Sequence, residues 1–151
     1  MHIFEISYAG LGAVDYMLFI LRVATGIFFA ISGYHKLFNT GRREMLRATF
    51  EADGIPFIKF CMFYVPLMEF IGGLFLTVGF LTVSVSFGLY LLLLVALCVD
   101  GRKRVAEYEP IDFADKVCDY LYLSETIYML VLMLIMATGS GVWSIDYLLV
   151  R

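Results

Sequence analysis

Residue types that commonly hold metals and redox groups are scarce in this 151-residue chain, which has three cysteines and two histidines. Cys61, Cys98 and Cys118 show neither CxxC spacing nor a Cys/His ligand pattern, so neither a zinc site nor a thioredoxin-like motif is predicted. We expect all three to be plain buried thiols. With His2 and His35 predicted at opposite faces of the membrane, a haem held by two histidines of one chain is not expected.

Charge is also scarce: 17% of the residues are charged and 62% are hydrophobic, with a mean hydropathy of +0.87. An ordinary soluble domain is about 45 to 50% apolar, so water alone is not the solvent of this chain. Four spans of about 20 residues use most of its length and leave no room for a soluble catalytic domain. The first residues lack a basic start and a small-residue cleavage motif, so no removable signal peptide is expected. We expect residues 1–151 to form a single membrane domain.

Four apolar runs predict transmembrane helices at about 15–38, 57–80, 81–99 and 120–139. The second and third runs together are too long for one span, so a tight hairpin is predicted near Gly79 to Ser84. The segment RREMLRATFEA predicts a short interfacial helix, and 100–119 predicts a polar loop or surface helix interrupted at Pro110. The predicted fold is all-α, an integral membrane four-helix transmembrane bundle with left-handed packing.

Basic residues are concentrated in the two loops and their flanks. By the positive-inside rule, loops 39–56 and 100–119 are expected to be cytoplasmic and both termini outside. The stretch DGRKR at 100–104 is too short and too close to the membrane to indicate nucleic-acid binding. It is interpreted as an orientation signal that contacts anionic lipid.

Three of the charged residues inside the predicted spans lie away from the span ends, and each costs at least about 2.5 to 3.5 kcal/mol near the bilayer centre. These are Arg22, Glu69 and Glu125, and each shares a helix face with glycine, as is typical of close helix packing. Arg22 is long enough to reach Glu69, and Lys36 to approach Glu125, but the sequence leaves open whether Arg22 and Glu69 pair. The two carboxylates lack the ligand spacing of a metal site, so no metal is predicted.

These charges leave three interpretations open. They are structural ion pairs or snorkelling side chains, or Glu69 or Glu125 exchanges a proton with a bound substrate or quinone, or they line a binding pocket without chemistry. His35, beside Lys36 at the inner end of the first helix, is either merely interfacial or a hydrogen-bond donor to a quinone carbonyl or a lipid headgroup.

An ordered set of short motifs on the first two helices resembles the DoxX family, over roughly Leu18 to Leu97. The motifs are Arg22-x3-Gly26, Gly33-x2-Lys36, Glu69-x2-Gly72-Gly73 and Gly79. Members of that family are four-helix membrane proteins. Some are described as membrane subunits of thiosulfate:quinone oxidoreductase, and others are linked to oxidative-stress complexes. The aromatic tail after Gly141 lies outside the resemblance and is a candidate docking segment for another subunit.

The resemblance implies an integral membrane subunit associated with a redox or respiratory complex, in contact with quinone or lipid. In this hypothesis Glu69 exchanges the proton and Arg22 holds it ionised or orients the ligand, while His35, Lys36 and Glu125 contribute to ligand binding. Because no motif for a flavin, haem or iron–sulfur cluster is recognisable, a partner subunit is expected to hold the redox cofactor.

The expected partners are membrane lipids and either other membrane-protein subunits or further copies of the chain. Two alternatives remain open for the function. The chain is a non-enzymatic accessory subunit of a larger membrane assembly, or it is a small proton-coupled carrier, for which it is short unless it dimerises.

Overall fold

The computed structural model describes residues 2–108 and 111–150, and their side chains over 13–108 and 111–149. The described residues form α1 (His2–Phe38), α2 (Thr40–Ala52), α3 (Ile58–Val78), α4 (Thr82–Ala96), α5 (Arg102–Glu107), α6 (Phe113–Tyr122), α7 (Ser124–Thr138) and α8 (Ile145–Val150). A π-helical turn, Leu97–Gly101, joins α4 to α5. The predicted all-α class is therefore confirmed.

Three helical stretches are long and apolar enough to cross a membrane: Ala13–Phe38, Ile58–Val78 and Thr82–Glu107. The first two agree with the predicted spans to within about two residues at each end. The third continues past the predicted end at Val99, because the π-helical turn keeps the polar residues that follow in the same helix. The chain is thus an integral membrane protein by the length and composition of its helices.

The fourth predicted span, 120–139, is not one straight helix. α6 and α7 pass the same test only as a pair, which is bent by 67°. Leu123 has extended backbone (φ −66°, ψ 134°) and separates them. α7 alone is about 22 Å long at 1.5 Å per residue, shorter than a hydrocarbon layer of about 30 Å.

Glycines bring α1 and α3 into backbone contact. Close packing was expected, because charged residues and glycines share one face of each helix. A Cβ at Gly33 would lie 2.4 Å from the Phe70 nitrogen, and one at Gly73 would lie 2.3 Å from the Ala30 nitrogen. α4 packs mainly on α7, and buried leucine, isoleucine and phenylalanine side chains from α1, α3, α4 and α7 form the apolar core. Close approach of small residues is the usual way in which membrane helices pack.

The two ends of the bundle differ in composition. The loop end is formed by α2, α5 and α6, and Lys103 links α5 to α2 by an ion pair with Asp53. The turn end is formed by α8 and the tight turn after α3, where Gly79 (φ 72°) and Leu81 (φ 49°) are left-handed. The predicted short helix is present as α2, and the predicted hairpin turn is present between α3 and α4. The interfacial position of α2 stays a prediction.

The cysteines differ from the expectation that they are buried. Cys98 and Cys118 are exposed and Cys61 is intermediate. Cys98 lies on the outer surface of a membrane-length helix, where lipid replaces the apolar interior as the environment of a thiol. Burial inside the bundle is therefore not needed to keep Cys98 out of water.

Candidate functional site

A partly buried ion pair connects α1 and α3. The Lys36 ammonium donates to both carboxylate oxygens of Glu69, at 2.7 Å to Oε1 and 2.6 Å to Oε2. The Ser32 hydroxyl donates to Oε2 at 3.2 Å. The side chain of Glu69 is 10% exposed and that of Lys36 is 29% exposed, so the pair lies between the bundle interior and the surface.

The helix geometry explains why these groups meet. Glycine contact sets α1 against α3 so that Ser32 and Glu69 lie at the same level. Lys36 begins one turn nearer the loop end, and side chains on a helix point back toward its N-terminus. The ammonium is thereby directed to the level of Glu69, and pairing lowers the cost of both charges inside the membrane.

A cavity of about 320 Å³ lies beside this pair. It is lined by Phe28, Ile31, Ser32, His35, Lys36 and Arg42. The predicted ligand-binding residues His35 and Lys36 are thus brought together, with an apolar floor from α1 and a guanidinium from α2. Phe28 also stacks on Tyr128 of α7, with ring centroids 4.1 Å apart.

Arg22 lies at the turn end, away from Glu69. Its guanidinium donates to the carbonyl oxygen of Ser140 at 2.5 Å and to that of Trp143, and the residue is 2% exposed. Arg22 therefore does not pair with Glu69, a contact that the sequence left open. Glu69 lies at the level of Ser32, ten residues along α1 from Arg22, which corresponds to about 15 Å. The catalytic role assigned to Arg22 stays a prediction.

The Arg22 guanidinium also fills the space beside Gly79. A Cβ at this glycine would lie 2.3 Å from Nη1 of Arg22, so the left-handed turn and the arginine fit only without a side chain. The tail after Gly141 was a candidate docking segment for another subunit. The backbone carbonyl of Trp143 in this tail binds Arg22 of the same chain, but the Trp143 side chain is exposed, so docking to another subunit stays a prediction.

Asp146 of α8 lies at the same end of the bundle as Arg22 and binds the start of α4. Its carboxylate accepts from the backbone N–H groups of Leu81 at 2.7 Å and Thr82 at 2.8 Å, and so caps α4, whose own N-cap is a leucine. Burial opposes ionisation of this carboxyl, but these N–H donors, together with the charge of Arg22, hold the pKa of Asp146 below its usual range.

Glu125 is bound by a different cation from the one expected. Arg104 Nη2 donates to Glu125 Oε1 at 2.5 Å, and Arg104 Nε lies 2.9 Å from Asp100 Oδ2. The predicted approach of Lys36 to Glu125 is wrong, because Lys36 is held by Glu69. The break at Leu123 places Glu125 in the first turn of α7, facing the helix that continues from α4.

Sequence reasoning missed Ser32, Arg42, Arg104 and Asp146. Ser32 carried a usable signal, since Ser32, His35 and Lys36 are spaced i, i+3, i+4 and therefore share one helix face. Arg104 was counted only as an orientation signal. Among the described residues, no group of three or more His, Cys, Asp or Glu side chains is placed to hold a metal ion.

Comparison with known proteins identifies one family. The DoxX family model matches residues 17–100, which is more than half of the chain and includes Arg22, Lys36, Glu69 and Gly79. No curated protein and no solved structure matches the chain. The residues of the match form α1 to α4, and the glycines and charges that it contains are those that join α1 to α3 and to the turn end. The chain belongs to the DoxX family.

Proposed function

We propose that this chain is a membrane subunit of a redox complex in the bacterial inner membrane, and that it holds the headgroup of a quinone or a quinone-like lipid beside Lys36 and Glu69. The observation that supports this function is the cavity of about 320 Å³ that collects Ser32, His35, Lys36 and Arg42. Its volume lies within the range of about 300 to 1,000 Å³ typical of small-molecule sites.

The lining suits a flat ring with two carbonyl oxygens. Phe28 and Ile31 supply apolar contact, while His35 and Arg42 supply hydrogen-bond donors. A quinone, when bound, accepts electrons and protons from the complex. The residues of this chain bind and orient its ring, and they exclude water from the side next to α1.

Lys36 and Glu69 are the proposed proton-holding pair. The ammonium faces the cavity on one side and is held by the carboxylate on the other. A proton that leaves Lys36 Nζ for a ligand oxygen would leave a neutral amine beside the Glu69 carboxylate, and water at the loop end would return a proton to that amine, since the Lys36 side chain is 29% exposed. In this arrangement Lys36, rather than Arg22, is the cation paired with Glu69, and electrons come from a partner subunit.

The proposed orientation places the loop end in the cytoplasm. Basic residues flank the membrane at the loop end: Arg42, Arg43 and Arg47 in α2, and Arg102, Lys103 and Arg104 in α5. The positive-inside rule therefore assigns this end to the cytoplasmic face. The cavity then opens near the cytoplasmic surface, while Arg22 and Asp146 lie at the outer surface.

The test is binding of a short-chain ubiquinone analogue to the full chain in quinone-free lipid nanodiscs, measured by calorimetry. We expect Ile31→Trp, which fills the cavity, to abolish binding, and Arg42→Gln to weaken it about tenfold, equivalent to about 1.4 kcal/mol. Lys116→Gln is the matched control, because Lys116 is exposed on α6 and lies outside this cavity. Equal binding by all three variants would contradict the proposal.

A structural, non-enzymatic role is the second candidate. It is favoured by the contacts within the chain, since Arg22, Glu69 and Glu125 are each bound by groups of the same chain. Gentle purification from the native membrane, with mass spectrometry and an optical spectrum, distinguishes the two. A redox subunit, haem or quinone that co-purifies favours the redox function, whereas a colourless assembly with non-redox proteins favours the structural role.

A further inference from the structure

A second cavity, of about 700 Å³, lies between α2 and the first turns of α3. It is lined by Thr40, Arg43, Glu44, Arg47 and Glu51 of α2 and by Ile58, Lys59 and Met62 of α3. The α2 residues recur at the spacing of one helix face. The cavity is therefore formed by the polar face of α2 and the loop end of α3, away from His35.

The side chains that line this cavity carry a net positive charge. Arg47 is paired with Glu51 of the next turn, with Nε 2.7 Å from Oε1. Arg43 and Lys59 then stand against the single carboxylate of Glu44. Arginine forms paired hydrogen bonds to phosphate oxygens, and lysine adds a compact charge. A singly charged phosphodiester balances this set.

An apolar cavity of about 400 Å³ continues from the charged one, and Arg43 and Met62 line both. Its other lining residues are Lys36, Leu37, Phe38, Phe63, Leu67 and Phe70. Between Lys59 and Phe70, α3 rises about 16 Å. This is close to half of a hydrocarbon core of about 30 Å, the depth that an acyl chain of one leaflet occupies.

We infer that these two cavities together form a binding site for one membrane phospholipid. Arg43 and Lys59 bind the phosphodiester, and one acyl chain lies along α3 against Leu37, Phe63 and Leu67. The charged part lies at the loop end and the apolar part extends toward the bilayer centre, so the site has the polarity and the length of a lipid in one leaflet. The inference is independent of the proposed quinone function.

The test uses the full chain in detergent, titrated with dioleoylphosphatidylglycerol and followed by native mass spectrometry. We expect the R43Q/K59Q variant to bind the lipid about tenfold more weakly than the unmodified chain. The matched control, R102Q/K116Q, removes the same charge from the same end of the bundle at residues that line neither cavity. Equal weakening in both variants would overturn the proposal, because it would indicate only a general attraction to basic protein.

A second variant tests the apolar part of the site. Leu67→Trp leaves the charge unchanged but fills the cavity along α3, and we expect it to weaken lipid binding as well. Soluble glycerophosphoglycerol, which has the same singly charged phosphodiester without acyl chains, is the competitor. Competition by glycerophosphoglycerol at concentrations equal to those of the lipid would overturn the proposal. Far-UV circular dichroism checks that each variant is folded. We expect quinone binding to be unchanged, because Arg43, Lys59 and Leu67 do not line that cavity.

Discussion

The Lys36–Glu69 pair gives the sharpest prediction about the stability of this bundle. Lys36→Met removes the cation and leaves the Glu69 carboxylate, whose side chain is 10% exposed, with the Ser32 hydroxyl as its remaining donor. Breaking a buried pair from one side costs about 3 kcal/mol, at the low end of the usual range because the site is partly accessible.

The reverse change should cost less. Glu69→Gln leaves the Lys36 ammonium, whose side chain is 29% exposed and has a long stem that reaches the loop end, so we expect a loss of about 1 kcal/mol. The double variant carries no unpaired charge and should lose about 1.5 kcal/mol. Since the two single losses sum to about 4 kcal/mol, the coupling energy is about 2.5 kcal/mol.

The assay is reversible unfolding in mixed micelles with increasing dodecyl sulfate, followed by far-UV circular dichroism for the four proteins of the cycle. The R47Q/E51Q cycle is the control, because that pair is exposed on α2 and should show almost no coupling. A coupling below about 0.6 kcal/mol for Lys36 and Glu69, the average for hydrogen-bonded pairs in membranes, would refute the reasoning.

Three further predictions concern the glycine contact and the turn end. Gly33→Ala should destabilise the chain by about 2 kcal/mol or more, since the backbone of α3 must move. Gly88→Ala should be neutral or stabilising, because its added Cβ would lie 4.0 Å from Cε of Met68 and alanine favours a helix more than glycine does. Chemical unfolding of both variants measures these changes in stability. Asp146→Asn should cost about 1 kcal/mol by weakening the cap of α4. Because the pKa of Asp146 is lowered in the folded chain, its carboxylate stabilises the fold fully above about pH 4, the pKa of an unfolded aspartate. This stabilisation is lost as the pH falls through the folded pKa, so the difference in stability between the unmodified chain and D146N should shrink in acid. Arg22→Gln should increase proteolysis after Trp143, because the carbonyl contacts that hold this segment are lost; unchanged cleavage would contradict this.

Hydropathy predicted the helices well because the bilayer imposes their length and composition. The first two spans and the hairpin at Gly79 follow from this constraint alone. The contact of α1 with α3 was also predictable, since glycines recur on one face of each helix. These features depend on local sequence, which a single chain displays directly.

The ion pairs were not predictable in the same way. Pairing depends on the axial offset between helices, and hydropathy locates a span only to within a turn or so. Glu69 lies between the levels of Arg22 and Lys36 on α1, so an error of that size changes which of the two cations is expected to reach it. The true acceptors of Arg22 are backbone carbonyls, which have no residue signature. The break at Leu123 also lacks a proline or glycine, the usual sequence signs of a helix end.

The bond from Arg22 to Ser140 has a consequence for the order in which the protein is assembled. The two residues are 118 positions apart in the chain. At a synthesis rate of about 5 to 20 residues per second, the first span waits about 6 to 24 s for its carbonyl acceptors. During that interval the guanidinium needs other partners, such as water at the membrane surface or groups of the insertion machinery. The carbonyl contacts that hold Arg22 in the folded chain therefore form only after the last membrane helix has been made.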